Sequence, residues 1–184
     1  MSKKVFLRPL EMSDCQRVYQ WHNDPDLYAT LTSAYHPVSL QTVEAWIKRK
    51  SQYSDKEINY AICLTDTSEH IGNIYLRDID YLNRNASVGA FIANPENRGR
   101  GYVGDVLLDI ADYAFGTLGL NRLYMHSFAD NQGAIKVLQK CGFNIEGKLR
   151  QHVFKNGEFK DVLIFGRCAS DCVEKLNPNE QVTQ

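Results

Sequence analysis

Apolar residues along this chain return with two periods, and the switches between them mark out the elements. Val5 to Arg8 reads as a first strand. Ser13 is placed to cap a helix reaching Trp21, with Cys15, Val18, Tyr19 and His22 near one face, and Asp24-Pro25 stops it. Ser39 opens a second helix carrying Val43, Trp46 and Ile47, and Asn59 to Leu64 alternates as a strand. Ile71 to Ile79 and Ala86 to Ala93 flank a polar turn at Asn83, Arg84 and Asn85, the pattern of an antiparallel hairpin. After Gly101, Val103, Val106, Leu107, Ile110, Ala114 and Phe115 form the stripe of one long core-facing helix. Arg122 to Phe128 is the next strand, and a short helix from Asn131 closes at Cys141-Gly142. Asn156-Gly157 is a two-residue turn joining the last two strands. The pattern predicts an α/β (α+β) fold, a mostly antiparallel sheet with helices on its faces. One domain is expected over residues 1–170, followed by a polar tail over 171–184.

Composition narrows the function classes. A chain of 184 residues, 43% hydrophobic, fits a single domain with a sizeable core. The 21 basic and 22 acidic residues nearly cancel and no stretch is markedly basic, so no nucleic-acid partner is expected. The N-terminus has no long apolar core and no apolar run approaches a membrane span, so the expectation is a cytoplasmic protein without a membrane partner. Five cysteines (Cys15, Cys63, Cys141, Cys168, Cys172) without CxxC spacing argue for reduced thiols and no metal site.

The segment Ile92 to Gly104, IANPENRGRGYVG, carries the chemistry. A short apolar run ends at Pro95 and passes through a glycine-rich turn into a helix whose first N–H groups have no intrahelical partner. Such a turn is built to bind phosphate. Gly99, Gly101 and Gly104 also satisfy G-x-G-x-x-G, with Asp130 downstream where a dinucleotide fold would put a ribose ligand. Three features oppose that reading: the preceding strand belongs to an antiparallel hairpin, arginines sit inside the loop, and the next strand runs into a second motif at Asp130 to Phe143.

The pair P-E-N-R-G-x-G-Y (Pro95 to Tyr102) and, 30 residues after Gly101, N-x-x-A-I-x-V-L-x-K-x-G-F (Asn131 to Phe143) resembles the two acyl-CoA signatures of the GNAT acyltransferase superfamily. L-R-P-L-E-x-x-D (Leu7 to Asp14), W-x-N-D-P (Trp21 to Pro25) and the run from Glu146 to Val162 extend the resemblance. They point to the branch of ribosomal-protein N-terminal, polyamine and amino-sugar acetyltransferases. The resemblance implies a seven-stranded mixed sheet with helices on both faces and splayed strands holding acyl-CoA. It also implies acetyl transfer to a primary amine by direct attack, with acetyl-CoA as co-substrate and no metal. Acetyl-CoA would then lie along Phe91, Ile92 and Ala93, with its pyrophosphate on the backbone of Arg98, Gly99, Arg100, Gly101, Tyr102, Val103 and Gly104. Asn131 would reach the pantetheine arm and Lys136 or Lys140 the 3′-phosphate; otherwise Asn131 is a helix cap and the lysines are solvated.

The acid and base of many relatives do not carry over. Where they have a glutamate on the strand before the cradle, this chain has Ser87, and their tyrosine in the second signature is Leu138. Ser87, Asp78 and His126 are the candidates for catalysis; Tyr28, Asp78 and Asp80 are the candidates for acceptor binding. Each has a plainer reading, as a turn former for the aspartates and as a packed ring for His126 and Tyr28. Acceptors in view are a protein N-terminus such as that of a ribosomal protein, an amino-sugar nucleotide, or a polyamine such as spermidine. A non-catalytic acyl-CoA-binding module is the alternative of another class, and a homodimer is an open arrangement.

Overall fold

The computed structural model describes residues 3–172, so residues 173–184 of the expected tail lie outside the described residues. Seven strands form one sheet in the order β1-β2-β3-β4-β5-β7-β6. They are β1 (Val5–Pro9), β2 (Ile58–Leu64), β3 (His70–Asp80), β4 (Asn85–Ile92), β5 (Arg122–Phe128), β6 (Asn144–Lys155) and β7 (Glu158–Cys168). Every neighbouring pair is antiparallel except β4 and β5, which run parallel and pair only at Asn85↔Arg122, Ala86↔Leu123 and Ser87↔Tyr124. Asn156 and Gly157 both have positive φ, at 50° and 84°, as the tight turn between β6 and β7 requires.

Helices cover both faces. On one, α4 (Tyr102–Asp112) and α5 (Gln132–Lys140) bury Val106, Leu107, Ile110 and Leu138 against Ile74, Leu76 and Val88 of the sheet. On the other, α1 (Cys15–His22), α2 (Pro25–Ala29) and α3 (Leu40–Lys50) gather Val18, Trp21, Leu27, Val43 and Ile47 with Ala93. The cause is the period-two alternation of β3 and β4, which sends apolar residues to the α4 side and leaves a more polar face toward α1 and α2.

Three elements differ from the sequence reading. Ser13 lies inside a 3₁₀ turn, Met12–Asp14, whose entry is closed by reciprocal bonds between Glu11 and Asp14, so it is not the cap of α1. Asp24 ends α1 but also starts α2, its carboxylate accepting from the amides of Asp26 (2.9 Å) and Leu27 (3.1 Å). The long helix after Gly101 is α only to Asp112; Tyr113–Thr117 is a π turn, so Ala114 and Phe115 complete the stripe on a wider coil. In addition, β4, α4 and β5 do form a parallel strand-helix-strand unit, because β4 pairs antiparallel with β3 on one side and parallel with β5 on the other. The hairpin was therefore no argument against a dinucleotide site. Asp130 instead ion-pairs with Lys160 at 2.9 Å.

A buried polar network ties the first segment to the sheet. Arg8 grips both oxygens of Asp14 at 2.8 and 2.7 Å, and His70 bridges Asp14 (3.1 Å) and Asn73 (2.8 Å). Burial pushes the Asp14 carboxyl up, but the Arg8 bond, the Glu11 amide and the nearby charges outweigh it and bring it from 3.8 to about 2. A folded pKa below the unfolded one adds stability that is present above pH ~4 and lost as pH falls toward 2, about 2 kcal/mol in all. Asp14→Asn is expected to lower stability by about that much at pH 7 and to flatten its decline between pH 4 and 2. Urea midpoints across that range check this, and an unchanged pH slope would contradict it.

Candidate active site

The central feature is the fork where β4 and β5 part after Ser87↔Tyr124. The β3–β4 register is unbroken from Gly72↔Ile92 to Arg77↔Ser87, and the Ala93 amide donates to Ile71 O at 2.9 Å. Antiparallel pairs alternate in which edge they bond, so Phe91 and Gly89 also turn their backbone groups to β3. Ala90 and Ile92 turn theirs to the other edge, where β5 has departed. Arg98 covers part of that edge, donating to Ile92 O (3.0 Å) and Ala93 O (2.6 Å). The N–H and C=O of Ala90 and the N–H of Ile92 face the cleft. Of the three residues along which acetyl-CoA is expected, Ile92 turns its N–H to the cleft, while Phe91 and Ala93 turn theirs to β3.

The far end of the cleft is the glycine turn. Gly99 and Gly101 have φ of 71° and 87°, a conformation L side chains avoid, and a Cβ on either would meet nothing within 4 Å. No side chain caps α4, so the amides of Tyr102, Val103 and Gly104 open onto free space at the positive end of the helix dipole. Arg98 braces the turn. Its N–H donates to Pro95 O at 3.0 Å, while its guanidinium holds the β4 carbonyls. Arg100 Nε donates to Glu96 O at 2.7 Å. Asn131 caps α5, accepting from the Ala134 amide at 3.0 Å, while Lys136 is exposed and Leu138 buried.

A cavity of about 190 Å³ adjoins the cleft on the α1–α2 side. Trp21, His22 and Tyr28 line it from the helices, and Asn59, Asn73, Tyr75, Arg77 and Phe91 from the sheet. Register explains the sheet residues: Asn59, Tyr75 and Gly89 form one row, Asn73 and Phe91 another, and Arg77, Ser87 and Tyr124 a third, and cross-strand partners share a face. Gly89 leaves room for the Tyr75 ring that lies across it, since a Cβ there would lie 2.2 Å from the ring and force it to shift. The Arg77 guanidinium stacks 3.7 Å from the Tyr75 ring centroid. Tyr28 and His22 share a hydrogen bond of 3.0 Å, and burial pushes the His22 pKa down and the Tyr28 pKa up. Buried Lys155 donates to Tyr28 O (2.7 Å) and Ser33 O (2.5 Å), which fixes the segment over the cavity.

Of the residues expected for acceptor and catalysis, Tyr28 lines the cavity and Ser87 sits at the fork. Asp80 does not reach the cavity; it accepts from the amides of Leu82 and Asn83 at 2.9 and 2.8 Å and builds the turn. Asp78 is exposed, at positive φ in an irregular stretch of β3; it does not line the cavity, and burial, then the Asp78 charge, pushes the Tyr124 pKa up. His126 shares the Tyr124 face but is exposed outside the cavity, and burial, then His152, pushes its pKa down. Asn73, Tyr75, Arg77 and Lys155 were missed, although Asn73, Tyr75 and Arg77 alternate with Ile74 and Leu76, a signal visible in the chain.

An open mixed sheet with a forked parallel pair facing an uncapped, glycine-led helix is the framework of an acyl-CoA-dependent acyltransferase. Residues 4–144 match the family model of the acetyltransferase (GNAT) domain, and the chain belongs to that family. It is an N-acetyltransferase by family, and GNAT acetyltransferases use acetyl-CoA. The chain is 26% identical over 163 residues to a spermidine N(1)-acetyltransferase of Vibrio cholerae, covering 88% of this chain and 91% of that protein. It is 30% identical over 169 residues to the putative ribosomal N-acetyltransferase YdaF of Bacillus subtilis, covering 90% and 91%. The crystal structure of spermidine N-acetyltransferase from Vibrio cholerae in complex with CoA and spermine shares the fold, with a TM-score of 0.84 at 24% identity over 94% of this chain and 99% of that one.

Two expectations follow from this geometry. Gly101→Asp places a carboxylate where phosphate would approach, so it should abolish the stabilisation that CoA at a hundredfold its Kd gives the wild type, ~2.7 kcal/mol. Thermal melts with and without CoA check this, and an unchanged shift would remove the cradle. Gly89→Ala displaces the Tyr75 ring and should raise KM for the acceptor roughly tenfold or more while leaving CoA binding intact. Steady-state kinetics beside CoA melts separate the two effects.

Proposed function

We propose that this protein transfers acetyl from acetyl-CoA to a weakly basic primary amine, the α-amine of a peptide N-terminus such as a ribosomal protein's or that of a small molecule. The observation that carries it is the fork after Ser87↔Tyr124, opening toward the uncapped start of α4. Bound acetyl-CoA would supply an activated thioester. The amides of Gly99 to Gly104 would hold its pyrophosphate, and the cleft-facing N–H groups of Ala90 and Ile92 would orient the arm and stabilise negative charge on the reacting carbonyl. Leu138 excludes water without donating a proton. Asn131, already a cap, has its amide NH₂ for the arm.

The acceptor's basicity follows from Ser87. With no carboxylate there to take a proton, the amine must arrive neutral. At pH 7 an alkylamine of pKa ~10.4 is neutral in roughly one molecule per few thousand, an α-amine of pKa ~7.7 to 8.0 in about a tenth. Amino sugars are also less basic than alkylamines, so an amino-sugar nucleotide is the second acceptor class. Similarity to spermidine N-acetyltransferases favours a polyamine instead, whereas the cavity lining has no Asp or Glu to hold a polycation.

CoA release measured over a panel of amines decides among these and separates an enzyme from a mere binding module. Higher kcat/KM for α-amines or amino sugars than for spermidine is expected, rising with pH until the acceptor's own pKa is passed. Efficient spermidine turnover at pH 7 would overturn the basicity argument. So would an acidic limb in the pH profile that disappears in His126→Gln, since it would make that ring the base.

A further inference from the structure

We infer that the acceptor carries an anionic group, a carboxylate or a phosphate close to its amine, and that Arg77 is the residue that reads it. This rests on the proposed acetyl transfer and, among the acceptors proposed for it, selects a small amine that bears an anion over a peptide N-terminus. Arg77 lines the cavity, and it is paired with Ser87 across the sheet, beside the fork where the reacting carbonyl would lie. Its guanidinium has a firm platform, the Tyr75 ring at 3.7 Å, itself seated on Gly89. The charge, however, has no counterpart. Arg77 Nε is buried without a hydrogen-bond partner, and among the described residues no carboxylate forms an ion pair with Arg77.

The rest of the wall points the same way. Among the described residues none that lines the cavity is acidic; Asp80 is bonded into its turn, and Asp78 is exposed, its charge acting on Tyr124. Lys155, 8% exposed, adds a second cation behind Tyr28 and Ser33, its ammonium bonded among the described residues to their carbonyls. A buried N–H donor such as the Nε of half-buried Arg77 is ordinarily paired, and a planar guanidinium is shaped to grip a carboxylate or phosphate through two parallel bonds. A polyamine entering here would meet like charge; an amine bearing an anion would meet its complement and leave its nitrogen free to turn toward the cleft.

The test compares acceptors that share an amine and differ in the anion: threonine against threoninamide, and phosphoethanolamine against ethanolamine, with spermidine alongside. Because the anion raises the pKa of its neighbouring amine, kcat/KM is referred to the neutral fraction of each acceptor; on that scale wild type should favour the anionic member of a pair at least tenfold, Arg77→Gln should abolish the preference, and Arg77→Lys should restore part of it. With CoA saturating the cleft, inorganic phosphate should raise the melting temperature of wild type and not of Arg77→Gln, a readout independent of turnover. Equal use of charged and neutral members, a preference that persists in Arg77→Gln, or an equal phosphate response in both proteins would overturn the assignment. Wild type that is not stabilised by CoA at all would instead take down the acetyl-transfer reading and this inference with it, so the two failures are distinguishable.

Discussion

The structure turns on a loss of pairing. β4 and β5 are parallel neighbours for three residues and then diverge, leaving a strand edge inside the molecule whose N–H and C=O groups have no sheet partner. Backbone polar groups in such a place must find a partner, because an orphan costs as much as a lost hydrogen bond. The chain satisfies some of this itself: Arg98 folds back onto Ile92 O and Ala93 O and closes the end of β4. What remains open, at Ala90 and Ile92, is a short row of donors and acceptors in the geometry of a sheet edge. An extended ligand with amide groups of its own can add there as a strand does.

Around that edge the two faces of β3 and β4 divide the work. The α4 side is a continuous apolar core, so the helix whose first turn forms the glycine cradle is held rigidly against Ile74, Leu76 and Val88. The α1–α2 side carries Asn73, Tyr75 and Arg77 at alternate positions, and the short helices bridge over them without filling the space. Polar groups there are organised by partners set further back. Arg8 and Asp14 hold His70, His70 holds Asn73, and Lys155 holds the segment through Tyr28 and Ser33. These bonds reach the cavity through Asn73, Tyr28 and Ser33, which line it.

Much of this was legible in the chain because it depends on local rules. Period-two and period-3.6 stripes located the strands and the main helices, Asn156-Gly157 declared its hairpin, and the glycines of the Arg98–Gly104 turn declared positive φ and open space above them. The two signatures, with their spacing, led to the family. The local reading went astray where several outcomes share the same letters. Ser13 and Asp24 can each cap a helix, and only the packing of α1 decided that Asp14 closes one start and Asp24 begins another helix. Arg98, placed by sequence beside a phosphate, is taken by carbonyls that come near only once β4 has ended and the loop has turned.

The sequence by itself determined the class of fold, the order of elements, the glycine turn that opens α4 and the absence of a carboxylate at Ser87, since each follows from residue type and spacing within a few tens of residues. Tertiary structure alone decided where β5 leaves β4, which edge of β4 stays open, and that Asn59, Asn73, Tyr75, Arg77 and Tyr28 converge on one cavity whose lining includes neither Asp78 nor Asp80. The physical reason is that register and divergence are set by the helices packed on both faces of the sheet. A side chain's neighbours across strands are fixed by that packing and not by its own place in the chain.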